Sequence, residues 1–124
     1  MMHWLWVIGF GIVGVSSRFA IDSWIAKFAF GFPVGTLAIN IAGCLIAGFV
    51  FSAWGSRDLG SDPVRLGIVV GFCGGFTTFS GFGLQILQMF EDGRMPAAFA
   101  YGIATPVLCV LATGGGFFCA RALV

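Results

Sequence analysis

Charged residues are scarce in this sequence: they make up 9% of its 124 positions, whereas an ordinary soluble domain has about 25%. Hydrophobic residues account for 59%, and the mean hydropathy is +1.03. Six Lys and Arg stand against five Asp and Glu, so the sequence offers neither a basic surface for nucleic acid nor an acidic tail. This composition excludes an ordinary cytosolic enzyme and indicates an integral membrane protein.

Metal-ligating and redox residues are sparse as well. The only histidine is His3, and the four cysteines are far apart at 44, 73, 109 and 119. Zinc and redox motifs need clustered ligands, and no Cys-x-x-Cys pair occurs. We therefore interpret the cysteines as small hydrophobic residues within the membrane. The first segment lacks a positively charged start and an Ala-x-Ala site, so we expect a retained helix, not a signal peptide.

Charges and turn-forming residues divide the chain into four long apolar segments. At roughly 20 residues per span, four membrane helices use about 80 residues and leave short loops. We predict one all-α, multi-pass transmembrane domain over 1–124, with spans at about 4–19, 35–54, 65–90 and 97–123. A stretch with Trp24 and Lys27 follows the first span and is suited to the membrane surface.

Lys and Arg, whose distribution orients membrane proteins, are evenly divided between the two sides of the predicted domain. Three lie on each side: Arg57, Arg65 and Arg121 on one, and Arg18, Lys27 and Arg94 on the other. Without a charge bias, the Lys and Arg distribution favours neither orientation in the membrane. Copies inserted in both orientations would allow a two-fold dimer of oppositely oriented chains. The alternative is that helix packing or partner proteins fix one orientation.

The second span carries Asn40 in an otherwise apolar run. Thr36, Asn40, Gly43 and Ala47 share one helical face, which is small and polar and allows close approach of another helix. Two interpretations of Asn40 stay open: hydrogen bonds that only hold the bundle together, or an amide N–H that points into a pathway and binds an anion. Buried polar groups in membranes are costly and often functional, which favours the second.

The third span is rich in glycine. Gly67, Gly71 and Gly75 recur every four residues and predict tight helix contact. The run GGFTTFSGFG at 74–83 follows. Because glycine pairs weaken a helix and Thr and Ser satisfy released backbone groups, we predict a break at about 74–78. Freed carbonyls at such a break can hold a cation, and a mere kink is the alternative.

Aromatic and hydroxyl side chains follow this break. Phe76, Phe79 and Phe82 are spaced by three; such stripes usually pack, but a ring edge aimed into a narrow pore favours a small anion. Tyr101 and Thr105 are one turn apart in the fourth span. Tyr101 is either a hydrogen-bond donor to a permeating species or an interfacial aromatic.

No Asp or Glu lies deep in any predicted span. Proton-coupled exporters normally need a membrane carboxylate or histidine as a proton relay. Arg18 closes the first predicted span, where it either snorkels to the interface or attracts anions to a vestibule. Hydrogen-bond donors without acids suit an anion path better than a cation or proton path.

Three blocks carry a family resemblance: GIVGVSSRF at 11–19, GTLAINIAG at 35–43 and GFCGGFTTFSGF at 71–82. They resemble the Fluc, or CrcB-type, family of fluoride channels, and the four-span plan extends the resemblance across nearly the whole chain. The resemblance implies a fluoride-selective channel that exports fluoride passively from the cytoplasm across the bacterial inner membrane. It also implies an antiparallel, dual-topology homodimer with two pores along its interface.

Carried over residue by residue, the resemblance implies a fluoride pore formed by Phe79, Phe82, Asn40, Thr78, Ser80, Tyr101 and Thr105. Phe79 and Phe82 would present their ring edges to fluoride, and Asn40 would donate a hydrogen bond to it. The hydroxyls would form a polar track beside these residues.

The resemblance further implies that Arg18 is a vestibule arginine and that the carbonyls of Gly74 and Thr77 from both subunits hold one central structural sodium ion. The chain departs from the family pattern at two positions. Gly81 replaces a usual Thr, and Gln85 replaces a common Glu. A neutral Gln85 can still donate through its amide, so we keep it among the predicted pore residues.

A small dual-topology, proton-coupled drug exporter with four helices is the alternative function. Length, charge balance and glycine content fit it, but such an exporter requires a carboxylate in the middle of its first span. The first span here, WLWVIGFGIVGVSS, has none. A non-transporting assembly factor would leave the Asn40 face and the third-span break unexplained.

Overall fold

The computed structural model describes residues 1–28, 30–55 and 58–124, which include four helices long and apolar enough to cross a membrane. Helix α1 is Met2–Ala26 and helix α2 is Val34–Ala53. The third span consists of α3, at 63–76, and α4, Phe79–Glu91; the fourth is α5, Met95–Leu123. These described residues contain no strand, so the all-α, four-span prediction is confirmed.

Helix α1 is longer than the sequence indicated. It continues past residue 19 to Ala26 and takes in Asp22 and Trp24, which we expected in an interfacial stretch. Arg18 therefore lies inside a helix and not at its end. Arg57, one of the six residues in the charge comparison, lies outside the described residues.

Charged side chains hold the start of the third span. Asp62 caps it by accepting the Val64 N–H at 2.8 Å, and Trp54 Nε1 donates to the same carboxylate at 3.0 Å. The Trp54 bond, followed by backbone bonds from the helix start, lowers the pKa of Asp62 below its usual 3.8. Arg65 is fully buried, lies over the Phe51 ring and donates to the Phe51 carbonyl at 3.0 Å. This arginine ties the end of α2 to the start of α3.

Helix α3 packs on α1 through the glycine stripe that the sequence predicted. A side chain on Gly71 would collide with the Val7 carbonyl, and a Cβ on Gly75 would lie 2.9 Å from the Gly11 carbonyl. The segment Gly67–Cys73 is a π-helix, a wider turn that the sequence did not predict.

Helices α2 and α5 form the other close pair. A side chain on Gly48 would collide with the Thr113 carbonyl, and one on Gly116 with the Leu45 carbonyl. Along α2, positions 40, 44 and 48 lie beside positions 105, 109 and 113 of α5, respectively. Because both series ascend together, the two helices run parallel. Pro106 lies within α5 without ending it.

Candidate functional site

The third span breaks at two threonines. Thr77 and Thr78 have extended backbones, with φ and ψ of −83° and 158° and of −146° and 118°. Helix α4 restarts at Phe79, where Thr78 caps it: the Gly81 N–H donates to Thr78 Oγ1 at 3.0 Å. Since helical geometry stops and restarts, the predicted break is confirmed at Thr77 and Thr78, whereas residues 74–76, which the prediction included, stay helical.

Asn40 closes this break from the neighbouring helix α2. Its Oδ1 accepts the Thr78 N–H at 2.8 Å, and its Nδ2 donates to the Thr78 carbonyl at 3.1 Å. The side chain thus pairs with the extended backbone as a neighbouring strand would. An amide NH₂ has two hydrogens, so this pair leaves one for another acceptor. Asn40 therefore combines interhelical bonding with a spare donor.

A cavity of about 210 Å³, here called the central cavity, lies beside the break. It is lined by Asn40, Cys44, Thr77, Thr78, Phe79, Phe82, Thr105, Pro106 and Cys109. No described residue in this lining is acidic. The cavity brings predicted residues from three helices and the break into one place.

Two phenylalanines form one wall of the central cavity. The Phe79 and Phe82 rings are tilted with centroids 5.6 Å apart, and the Phe82 ring lies 4.9 Å from the Tyr101 ring. Phe82 is buried at 7% exposure, whereas Phe79 is 82% exposed in the single chain. The inner ring is held by packing, while the outer ring is available for contact with another molecule.

Thr105 lines the central cavity from α5 and is only 5% exposed. Its Oγ1 has no hydrogen-bond partner within the described part of the chain. A buried polar group without a partner is costly, particularly where water is scarce. Its hydroxyl can therefore donate to a species in the cavity.

Three polar side chains form a hydrogen-bonded chain next to Phe82. The Tyr101 hydroxyl donates to Gln85 Oε1 at 2.7 Å, and Gln85 Nε2 donates to Thr36 Oγ1 at 2.7 Å. Tyr101 is fully buried, and its one hydroxyl hydrogen is used in this chain. Ser80 is exposed and is not among the lining residues of the central cavity; its Oγ lies 3.3 Å from Thr78 Oγ1.

Two backbone carbonyls at the break leave the helical hydrogen-bond pattern. In a continuous helix, the Gly74 and Thr77 carbonyls would accept from the amides of Thr78 and Gly81. The Thr78 N–H instead donates to Asn40, and the Gly81 N–H donates to Thr78 Oγ1. Across the described ranges no three or more His, Cys, Asp or Glu side chains group as metal ligands. At the break, the Gly74 and Thr77 carbonyls thus lack their usual helical partners.

Comparison with known proteins identifies the family. Residues 5–117 match the family described as "CrcB-like protein, Camphor Resistance (CrcB)". The chain belongs to the CrcB family. It is 40% identical over 124 residues to the "Fluoride-specific ion channel FluC" of Syntrophotalea carbinolica, with 98% of this chain and 100% of that protein covered.

Relatives of the same name occur in other bacteria. That of Pseudomonas putida is 38% identical over 112 residues, covering 90% of each chain. That of Geobacter sulfurreducens is 37% identical over 115 residues, covering 92% of this chain and 93% of the relative. The resemblance inferred from the three sequence blocks is thereby confirmed, and the sites below are those of a CrcB-family protein.

Two arginines of this CrcB-family chain have neighbours that the sequence did not show. Arg18 Nε donates to the Gly75 carbonyl at 3.0 Å, so Arg18 lies against the third-span break. A second cavity, of about 310 Å³ and here called the end cavity, has Arg94, Asp92, Gln85 and Gln88 as its polar lining residues. Sequence reasoning counted Arg94 only as a loop charge. The structure places it at a polar opening that reaches Gln85.

Sequence reasoning also missed three residues of this CrcB-family site. Thr36 was placed on a polar face but not in the site, and Cys44 and Cys109 were treated as membrane hydrophobes. A signal was present, because Cys44 follows Asn40 by four residues and Cys109 follows Thr105 by four. Residues four apart share a helical face. Each cysteine therefore extends a polar face into the central cavity.

Proposed function

We propose that this chain forms a fluoride-selective channel that lets fluoride leave the cytoplasm passively and so lowers its toxicity. The central cavity carries the proposal: it combines the unpartnered Thr105 hydroxyl with the spare Asn40 amide hydrogen, and its described lining has no acid. The relatives are named as ion channels, so we assign the chain a channel function and no enzymatic activity.

Selectivity in this proposal comes from the donors and the narrowness of the path. Fluoride is small and tightly hydrated, so a pore must replace the hydrogen bonds of water. Thr105 and Asn40 would do so by direct donation, while Phe79 and Phe82 would present their positive ring edges. Larger halides would fit the narrow path poorly. The hydroxyls of Thr78 and Ser80 would continue the polar track.

We further propose that two copies assemble in opposite orientations as an antiparallel homodimer. The even division of Lys and Arg supports insertion in both orientations. Phe79 is 82% exposed although it belongs to the site, and a side chain on Gly74 would meet nothing within 4 Å. A second copy would cover this open side of the break and complete the pore. We place the dimer in the bacterial inner membrane, in contact with lipid.

A structural sodium ion at the centre of this dimer also belongs to the proposal. The carbonyls of Gly74 and Thr77 suit it, since both are released from helical hydrogen bonding and hard cations prefer oxygen ligands. The ion would join the two copies at their breaks. Arg18, which donates to the Gly75 carbonyl beside the break, would attract anions to a vestibule, and Arg94 would attract them at the end cavity beside Gln85.

The drug-exporter alternative is not favoured. Proton coupling requires a carboxylate in the middle of the first span. The acid in α1 is Asp22, near the C-terminal end of the helix, and the described lining of the central cavity has none. A passive channel needs only the donors that are present.

Anion efflux from liposomes containing the purified protein tests the proposal. A fluoride electrode follows release of potassium fluoride, and a chloride electrode follows matched liposomes loaded with potassium chloride. We expect fast fluoride release that needs an added potassium ionophore, with no chloride release, because a passive anion pore moves charge. Equal release of both anions, or fluoride release that needs a proton gradient, would contradict the proposal.

A further inference from the structure

Two thiols face each other across the α2–α5 interface, on the wall of the central cavity. Cys44 lies one turn after Asn40 and Cys109 one turn after Thr105, and both cysteines line the cavity. Gly48 meets Thr113 one turn further along, so the register of the two helices places Cys44 beside Cys109. Both are free thiols and only partly buried, so the cavity gives access to them.

The helix packing fixes the distance between these thiols. One turn further along, the backbones of α2 and α5 touch, because a side chain on Gly48 would collide with the Thr113 carbonyl. Both helices are continuous from the cysteines to this contact. The two sulfur atoms are therefore held on facing turns of two closely packed, parallel helices. Ligands held in place in this way bind a common partner without first being ordered.

We propose that Cys44 and Cys109 form a binding site for a thiophilic divalent cation, held by both sulfurs, and that the bound ion closes the central cavity. Thiolate sulfur selects soft metal ions. Zinc would need about four ligands from Cys, His, Asp or Glu, whereas the described lining of the central cavity offers two sulfurs and otherwise only neutral amide and hydroxyl groups. The site therefore suits an ion that accepts two-coordinate sulfur ligation, for which Hg²⁺ is the probe.

The charge balance of the complex favours a divalent ion. On binding, both S–H bonds break, two sulfur–metal bonds form, and two protons pass to water or buffer without any transfer of electrons. Two thiolates and one divalent ion make a neutral complex. A monovalent ion would leave one net negative charge, and uncompensated charge is costly away from water.

The effect on transport follows from the position of the pair. The cation would lie in the same cavity as the spare donors of Asn40 and Thr105 and would take up the space beside Phe79 and Phe82. This closure rests on the proposed fluoride function, whereas metal binding by the two thiols does not.

Metal retention in detergent tests the site without any measurement of transport. In a pair-only variant, Cys73→Ala with Cys119→Ala, we expect one Hg²⁺ per chain to survive gel filtration with a monothiol competitor. Both remaining thiols should then resist maleimide. The matched control, Cys44→Ala with Cys109→Ala, keeps the other two cysteines and should lose the metal. Two ions per pair-only chain, or retention by the control, would overturn the site.

Thiol mapping of the unaltered chain avoids any dependence on how the variants fold. After one equivalent of Hg²⁺, alkylation followed by mass spectrometry should show Cys44 and Cys109 protected together. Cys119, which is exposed, should stay reactive. Protection of Cys44 or Cys109 alone, or of neither, would contradict binding by both sulfurs.

Fluoride efflux tests the closure. In liposomes with the pair-only variant, Hg²⁺ should lower the fluoride efflux rate by at least about tenfold, and an added dithiol should restore it. Full efflux from protein that retains the metal would refute the closure. Absence of efflux before the metal is added would instead refute the proposed function, while the retention result would still decide the site.

Discussion

The two halves of the third span use glycine in different ways. In α3, Gly71 and Gly75 face α1 so closely that a side chain would meet backbone atoms. In α4, a side chain on Gly83 would meet nothing within 4 Å, and the nearest atoms to one on Gly81 belong to the Thr78 side chain. Glycine in the first half makes room for a neighbouring helix, whereas in the second half the neighbouring side chains carry the chemistry.

The break allows these two halves to differ. Helix α3 is fixed by its contact with α1, while α4 brings Phe79, Phe82 and Gln85 towards α2 and α5. One continuous helix would impose a single direction and register on both sets. Asn40 pairs with Thr78 at the junction and thereby sets where α3 ends and α4 begins. The third span thus packs against α1 through α3 and contributes residues of the candidate site through α4.

The largest loss of stability is expected in α3, the half of the third span that packs against α1. Gly71→Leu puts a side chain into the Val7 backbone, and overpacking of this kind costs about 1–3 kcal/mol or more. We expect little folded protein after gel filtration in detergent. Gly83→Ala is the matched control; it should retain the yield and gain up to about 1 kcal/mol from helix propensity. Similar losses for both variants would contradict the difference between the halves.

The next effect is at the junction. Asn40→Ala leaves the Thr78 N–H and carbonyl without their partner, at a cost of about 1–3 kcal/mol. We expect a lower melting temperature together with reduced fluoride efflux, since α4 is no longer held in register. Ser16→Ala, which removes an exposed hydroxyl on α1, is the control and should change neither. Unchanged efflux in Asn40→Ala would show that the junction does not position the site.

The smallest effect is expected within α4. Gln85→Glu keeps the acceptor for Tyr101 but adds a negative charge beside the path when ionised. At pH 7 the new carboxylate is ionised, since the ordinary pKa of Glu is about 4.3. Fluoride efflux should then be about threefold lower than in the unaltered chain, as expected for one weakly screened charge. Gln88→Glu, also on the end cavity, is the control and should respond less; an equal response would show that Gln85 has no special position.

Local sequence patterns predicted much of the fold. The apolar segments indicated four spans, and the glycine pair with Thr77 and Thr78 indicated the break, because these features depend on neighbouring residues alone. The end of α1 was less predictable. Asp22 and Trp24 suit an interface, yet helical hydrogen bonding continues through them to Ala26. The π-helix at Gly67–Cys73 gave no signal in the residues that form it.

The sequence indicated many of the residues of the site but not the contacts between them. Spacing placed Asn40 and Thr36 on one face, yet it could not show that Asn40 pairs with a backbone 38 positions away. The position of Cys44 beside Cys109 likewise depends on the register between α2 and α5. That register is set by the close contact at Gly48, which is a tertiary feature. Sequence patterns show which residues share a helical face, and only the packing of the helices shows what each face contacts.

Fluoride efflux from liposomes containing the Phe82→Ile variant, compared with Phe118→Ile, tests whether fluoride passes through the central cavity. Phe82 lines the cavity, while Phe118 is an exposed phenylalanine on α5 outside its lining. Loss of the ring edge should lower the efflux rate by at least about tenfold in Phe82→Ile. Phe118→Ile should match the unaltered chain. Full efflux from folded Phe82→Ile protein would contradict the passage of fluoride through the central cavity.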